Sequence, residues 1–121
     1  MKKVLIVDDS STIRDQIKLA LVNPDIIVIE AVTGVEALSL LSSNTDICLI
    51  ISDVNMPEMD GITMIKQIAS NPLTNKIPIV MLTTEVGKDL KDVAKACGVR
   101  AWMVKPFTNE KLLMAVTQLT K

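Results

Sequence analysis

Five polar side chains stand where apolar, β-like segments of the sequence end. Asp8 and Asp9 follow the first segment, Asp53 the third, Thr83 the fourth and Lys105 the fifth. Carboxylates that lie close together repel one another unless protons or a cation neutralise them. Mg²⁺ suits such oxygen ligands, because it binds a few carboxylates and keeps water or phosphate oxygens in its other positions. Brought to one edge of a sheet, these residues would form an acidic metal-binding pocket beside an ammonium and a hydroxyl.

This set of groups is suited to phosphoryl transfer. A metal ion and Lys105 would neutralise charge on the transferred group, and a carboxylate would be the in-line nucleophile. Asp53 is the best candidate for the nucleophile, because the third strand should lie centrally and an open loop, VNMPEMDG, follows it. Taken singly, each residue has a simpler interpretation. A strand-end aspartate such as Asp8 or Asp9 is often a helix N-cap, and a lysine before proline is often a solvated loop residue.

The elements that would position these residues alternate along the whole chain. The predicted strands are Val4–Val7, Ile26–Glu30, Ile47–Ser52, Ile77–Leu82 and Val99–Val104. Between and after them, apolar residues recur with the period of amphipathic helices: Ile13, Ile17 and Leu21; Ala37, Leu38 and Leu41; Ile65, Ile68 and Ala69; Leu90, Val93, Ala94 and Cys97; Leu112, Val116 and Leu119. Five successive β–α units predict an α/β fold, a doubly wound parallel five-stranded sheet whose ligands gather at the carboxyl ends of the strands.

Three helix ends carry capping signals. Thr33, with Glu36 three residues later, is typical of a capping box, and Thr108 is a candidate N-cap for the last helix. Gly98 follows the fourth helix, where a left-handed C-cap favours glycine. These signals agree with the helix positions that the apolar periodicity predicts.

Composition bounds the class of protein. The 121 residues fit one domain, 1–121, and 49% are hydrophobic, mostly aliphatic, as a sheet buried on both faces requires. The formal net charge of −1 gives no support for nucleic-acid or membrane binding. No apolar run approaches 18 residues, and the segment after Met1 is too short for a signal peptide. We therefore expect a soluble cytoplasmic protein.

The sequence contains no histidine and two cysteines. The absence of histidine excludes histidine-based catalysis and phosphohistidine chemistry within the chain. Cys48 and Cys97 have no metal-ligand spacing, so we interpret them as buried small hydrophobes.

Four segments together resemble the blocks of two-component response-regulator receiver domains. They are KKVLIVDDSSTIR, LIISDVNMPEMDGI, PIVMLTTE and MVKPF, in the order and spacing of that family. The resemblance covers essentially the whole chain and is closest to the stand-alone chemotaxis (CheY-like) type. It implies a flavodoxin/CheY-like (βα)5 fold with strand order 2-1-3-4-5 and a cis Lys105–Pro106 peptide bond.

The resemblance also implies roles for the strand-end residues. Asp53 would be the phosphoacceptor. Asp9 and Asp53 would bind Mg²⁺ (or Mn²⁺) directly, Asp8 would act through water, and the backbone carbonyl of Asn55 would complete the protein ligands. Lys105 would contact one phosphoryl oxygen. The hydroxyl of Thr83 would move to bind another.

The resemblance further implies a switch and residues that tune it. Trp102 lies where the family usually has Tyr or Phe, a ring that swings inward after the threonine moves. Indole is bulkier than phenol, so the alternative is that Trp102 is only a partly buried anchor. Thr84 replaces the usual alanine and would narrow access to the site. The side chains of Asn55 and Glu85 occupy positions that tune dephosphorylation in this family.

The expected partners are a histidine kinase, as phosphodonor, and a downstream protein. The target would bind a monomer near the fourth and fifth helices and the fifth strand, on a surface that includes Lys88, Lys91 and Lys95. The alternative is that these lysines form only a solvated face. The protein would not be an enzyme beyond its own phosphorylation and dephosphorylation. We expect a role in chemotaxis, and the alternative is that the chain is a receiver cut from a longer regulator.

Two other classes of protein share parts of this pattern. A carboxylate-nucleophile phosphohydrolase acting on an external substrate would carry its nucleophile at the first strand, with a second aspartate two residues on, whereas Asp8 and Asp9 are adjacent. A flavodoxin-like nucleotide binder would place phosphate after the first strand, where these two carboxylates repel an anion. Both classes fit the sequence less well than a receiver domain.

Overall fold

Apolar residues that alternate between two faces build a five-stranded parallel sheet covered by helices on both sides. The computed structural model describes residues 2–121. Its strands are β1 (Lys2–Val7), β2 (Ile26–Ala31), β3 (Ile47–Ser52), β4 (Ile79–Thr83) and β5 (Val99–Val104). Its helices are α1 (Ser11–Ala20), α2 (Gly34–Ser43), α3 (Gly61–Ser70), α4 (Lys88–Ala96) and α5 (Asn109–Leu119). The strand order β2-β1-β3-β4-β5 and the α/β class are as the sequence and its resemblance predict.

The sheet separates two hydrophobic cores. Successive residues of each strand point to opposite faces, so Leu5 and Val7 join one core while Val4 and Ile6 join the other. Helices α2, α3 and α4 cover the first face, and α1 and α5 cover the second. Because both faces are buried, the central strands are rigid supports for whatever follows their carboxyl ends.

Two strand boundaries differ from the sequence prediction in a way that matters for the site. The fourth strand begins at Ile79 instead of Ile77, because the Ile77 amide closes a turn on the Thr74 carbonyl and Pro78 has no N–H to pair. It also extends through Thr83, which therefore lies at the last strand position and is fully buried. The first strand begins earlier, at Lys2, and the second ends one residue later.

The predicted caps are confirmed, and two burial predictions are wrong in part. Thr33 and Thr108 cap α2 and α5, and Gly98 has a positive φ of 98° just after α4. Val93 was predicted to belong to the buried stripe of α4, but it is 36% exposed, and Ala94 is the one fully buried residue of that helix. Cys48 and Cys97 are half-buried instead of buried. No helix among residues 2–121 has both the length and the apolar character needed to cross a membrane.

Candidate active site

Asp53 lies directly after β3, at the centre of the sheet, and is 8% exposed. Its backbone N–H donates to the Val7 carbonyl of the neighbouring strand, 3.0 Å away. Its carboxylate Oδ1 accepts from the backbone N–H groups of Val54 (2.6 Å) and Asn55 (3.3 Å). The carboxylate is thus held by backbone that the rigid strand positions, with Oδ2 left for other partners.

Asp8 is fixed in the same way at the end of β1 and is only 2% exposed. Its Oδ1 accepts from the Ser10 N–H at 2.9 Å, and its Oδ2 faces Lys105. The helix that follows is capped by Ser10, whose hydroxyl accepts from the Ile13 N–H. The N-cap interpretation of Asp8 or Asp9 is therefore wrong, because another residue fills that role.

Lys105 joins the two buried carboxylates. Its ammonium nitrogen lies 2.9 Å from Asp8 Oδ2 and 3.0 Å from Asp53 Oδ2, and its side chain is 14% exposed. Burial lowers the pKa of this ammonium, but the hydrogen bonds to Asp8 and Asp53 raise it by more, so the pKa lies above its usual value of 10.5. Lys105 is therefore a charged, half-buried residue in contact with two carboxylates and not a solvated loop residue. The Lys105–Pro106 peptide bond that follows is cis.

Asp9 completes an acidic cluster. Asp8, Asp9 and Asp53 each place one carboxylate oxygen within 4.8 Å of the others, and Asp9 is the exposed member of the three. Three carboxylate oxygens at this spacing fit a small hard cation that keeps some of its water. We call Asp8, Asp9, Asp53 and Lys105 the acidic pocket.

The loop after β3 is shaped by a close backbone approach. A Cβ atom at position 61 would overlap the backbone carbonyl oxygen of Asp53, so only glycine fits there. The Gly61 N–H donates to the Val54 carbonyl at 2.8 Å, and the Asp60 side chain caps α3 by accepting from the Thr63 N–H. Asp60–Gly61 is thus more than a turn signal, because it ties the start of α3 to the backbone of the candidate nucleophile.

Glu85 is hydrogen-bonded to both predicted switch residues, Thr83 and Trp102, and to Asn55. Its N–H donates to the Thr83 hydroxyl oxygen (3.2 Å), and its carbonyl accepts from the Trp102 indole N–H (2.9 Å). Its carboxylate accepts from the Asn55 amide at 3.0 Å, which bridges the loops after β3 and β4. Thr84 lies exposed between the two hydrogen-bonded residues. Sequence reasoning placed these residues near the site but did not foresee that one residue bonds to three of them.

Sequence reasoning also missed Arg14. This side chain, 15% exposed, donates from Nη1 to the Asp8 backbone carbonyl (2.7 Å) and from Nε to Glu30 (3.0 Å). The sequence did carry a signal for this contact, the position of Arg14 in the segment DDSSTIR. Arg14 lies one helical turn after the N-cap Ser10, so its side chain can reach back to the end of β1.

A second charged region lies between α4 and β5. Lys88, Lys91 and Lys95 are exposed on α4, as expected for a solvated face. Beside them is an open groove of about 210 Å³. We call it the basic groove, and its lining consists of Lys91, Lys95, Val99, Arg100, Ala101 and Trp102.

Comparison with known proteins points to one family. The family model described as response regulator receiver domain matches residues 4–117. The chemotaxis protein CheY homolog of Campylobacter jejuni is 44% identical over 113 residues, which cover 91% of this chain and 85% of that protein. Chemotaxis protein CheY1 of Helicobacter pylori is 45% identical over 113 residues, covering 91% and 90%. The solved structure of Vibrio cholerae chemotaxis protein CheY4 superposes with a TM-score of 0.89 at 39% identity, covering 98% of each chain.

Proposed function

The chain belongs to the response-regulator receiver family of two-component signalling, and from that premise we propose that it is a phosphorylation-controlled module of a chemotaxis pathway, with Asp53 as the phosphoacceptor. The observation that carries the proposal is the ammonium of Lys105 held between Asp8 and Asp53, with the Asp9 carboxylate alongside. Proteins of this family are signalling proteins and not enzymes in the usual sense. The domain would comprise residues 1–121.

In the proposed reaction, an Asp53 carboxylate oxygen attacks the phosphorus of a phosphohistidine on the kinase. The new O–P bond forms as the P–N bond breaks, and the electron pair of that bond returns to the histidine nitrogen. Oδ1 of Asp53 already accepts two backbone N–H groups, so Oδ2, whose hydrogen bond is to Lys105, is the oxygen that would attack. The histidine must come from the partner, because this chain has none.

A divalent cation would be held by Asp9, Asp53 and the Asn55 carbonyl, with Asp8 acting through water. When bound, Mg²⁺ (or Mn²⁺) would neutralise negative charge on the phosphoryl oxygens. Lys105 would release part of its contact with Asp53 and bind a phosphoryl oxygen, remaining charged because of its raised pKa. This sharing of charge between ammonium and cation explains why a buried pair of carboxylates is useful here.

Thr83 is suited to sense the new group. Its hydroxyl oxygen accepts from the Glu85 N–H, which leaves its O–H proton free to donate to a phosphoryl oxygen. Movement of Thr83 would disturb the Glu85 segment, whose carbonyl holds the Trp102 indole. Asn55 and Glu85 are hydrogen-bonded to each other across the loops after β3 and β4, and Thr84 is exposed beside them. These three residues would tune the lifetime of the phosphorylated state.

The output would be binding in trans. Trp102 lies in the basic groove, so a change in its position would alter the surface formed by α4 and β5. The exposed lysines favour a downstream protein that presents acidic residues. We predict that the protein works as a monomer in the cytoplasm.

The test is phosphorylation of the full chain by acetyl phosphate or a histidine kinase in the presence of Mg²⁺. We expect one phosphoryl group on the wild type and none on Asp53→Asn, measured by intact-protein mass spectrometry. Asp60→Asn is the matched control, since it makes the same charge change in the same loop and asparagine remains a good N-cap. Full labelling of Asp53→Asn would contradict the nucleophile assignment. Turnover of free phosphate esters by the wild type would favour the phosphohydrolase.

A further inference from the structure

We propose that Arg14 is a positioning residue of the acidic pocket, which orients the Asp9 carboxylate for the cation by holding the Asp8–Asp9 peptide group. The inference rests on the proposed metal site. Within residues 2–121, the Arg14 side chain makes no hydrogen bond to any of the three carboxylates of the pocket. The proposed function gives Arg14 no role.

The three carboxylates of the pocket are not held equally. Asp8 and Asp53 each accept a backbone N–H and the Lys105 ammonium, so their side chains are fixed by direct hydrogen bonds. Asp9 is exposed, and no side-chain hydrogen bond to it occurs within residues 2–121. Its direction therefore depends on its own backbone, which makes the peptide group before it important.

Hydrogen bonds hold the backbone on both sides of Asp8, and one of them is made to the carbonyl of that peptide group. The Asp8 N–H donates to the Ala31 carbonyl of β2 at 3.1 Å, and the Asp8 carbonyl accepts from Arg14 Nη1 at 2.7 Å. The second bond is short and charge-assisted, which places it among the stronger hydrogen bonds of proteins. A rotation of the Asp8–Asp9 peptide that turned the Asp9 side chain away from the pocket would break it.

Arg14 is itself fixed. Its Nε lies 3.0 Å from Glu30 Oε1 near the end of β2, so the planar guanidinium bridges a carboxylate and a carbonyl. Glu30 also pairs with Lys18 at 3.1 Å, one helical turn farther along α1. A lysine at position 14 has a single ammonium and lacks the fork that makes both bonds in one plane.

Lys18 provides a matched control. Arg14→Gln and Lys18→Gln each remove one positive charge from α1 and one ion pair with Glu30. Only Arg14→Gln loses the bond to the Asp8 carbonyl. Electrostatics alone predicts tighter cation binding in both variants, whereas positioning predicts weaker binding in Arg14→Gln, so the two explanations differ in sign.

The experiment is a calorimetric titration of metal-free protein with Mg²⁺. We expect Arg14→Gln to bind about 10-fold more weakly than the wild type, as is usual when support for a metal ligand is removed. Lys18→Gln should bind with unchanged or higher affinity. The Asp9 backbone amide should shift in the ¹⁵N–¹H spectrum of metal-free Arg14→Gln and not in that of Lys18→Gln, a local signature that a loss of stability alone would not give.

Equal affinities in Arg14→Gln and Lys18→Gln would overturn the proposal, as would tighter binding in Arg14→Gln. Arg14→Lys keeps the positive charge and replaces Arg14→Gln as the test variant if Arg14→Gln does not fold. We expect Arg14→Lys to bind Mg²⁺ more weakly than the wild type. Wild-type affinity in Arg14→Lys would overturn the proposal. A wild type that binds no Mg²⁺ would instead contradict the proposed function. The two failures are therefore distinguishable.

Discussion

The acidic pocket and the basic groove are both charged, but they are built in opposite ways. In the pocket, Lys105 contacts two nearly buried carboxylates and the surrounding backbone supplies further bonds. In the groove, Lys91, Lys95 and Arg100 are exposed and have no carboxylate partner within 4.0 Å among residues 2–121. Chemistry requires fixed atoms, whereas a surface that recognises a partner can leave its charges in water until the partner arrives. Trp102 lines the groove, and its indole N–H donates to the carbonyl of Glu85, whose side chain bonds to Asn55 in the loop after Asp53.

The largest effect is expected from breaking the frame of the pocket. Gly61→Ala places a Cβ against the Asp53 carbonyl, so the backbone must move, and we expect a loss of about 3 kcal/mol in the free energy of unfolding. Gly87→Ala is the control, because its Cβ would have no neighbour nearer than 3.9 Å. Its cost should stay within about 1 kcal/mol. Urea titrations of both variants measure the difference, and equal losses would show that the close approach is not important.

Removing the ammonium from the pocket should have the next largest effect. Lys105→Met leaves the carboxylates of Asp8 and Asp53 without their shared partner. We expect the free energy of unfolding, measured in the presence of a metal chelator, to fall by about 2 kcal/mol. Mg²⁺ should raise the Tm of this variant more than that of the wild type, because the cation takes over the missing charge. Thermal melts with and without Mg²⁺ provide the measurement. An equal Mg²⁺ shift in both proteins would mean that Lys105 and the cation do not share the carboxylates.

The connection between the two regions is tested at Trp102. Trp102→Phe removes the N–H that donates to the Glu85 carbonyl and should cost about 1 kcal/mol. In the wild type, beryllofluoride with Mg²⁺ mimics the phosphorylated state and should change the fluorescence of this single tryptophan. Asp53→Asn, which should not bind the mimic, is the control. Unchanged wild-type fluorescence would count against coupling between pocket and groove.

The smallest effect is expected for an ion pair of the same length on the surface. Lys3 and Asp46 lie 2.9 Å apart, as do Lys105 and Asp8, but the Asp46 side chain is 62% exposed. The hydrogen bond from Lys3 lowers the pKa of Asp46, so any stabilisation is present above the usual pKa and disappears as the pH falls through the lowered value. Lys3→Met should leave the Tm at pH 7 unchanged. A loss equal to that of Lys105→Met would mean that distance, and not burial, determines the strength of these pairs.

Much of the site was predictable because its residues follow local signals. Asp8, Asp53, Thr83 and Lys105 each stand at the end of an apolar run, and parallel strands bring such ends to one edge. The roles given to these residues came from the family resemblance and remain proposals. The errors were also local in origin: Ile77 is apolar and β-branched, so the sequence pattern counted it in the strand although its amide closes a turn.

The sequence by itself determined the order of the ten elements, their two-sided core and the residues at the carboxyl edge, because hydrophobic periodicity and capping act over a few residues. Only the tertiary structure decided the partners of those residues. Lys105 meets Asp53 across 52 residues and Asp8 across 97, and Glu85 bonds to Asn55 and Trp102. These contacts depend on the separation of strands and on side-chain direction after packing. No local pattern encodes either quantity.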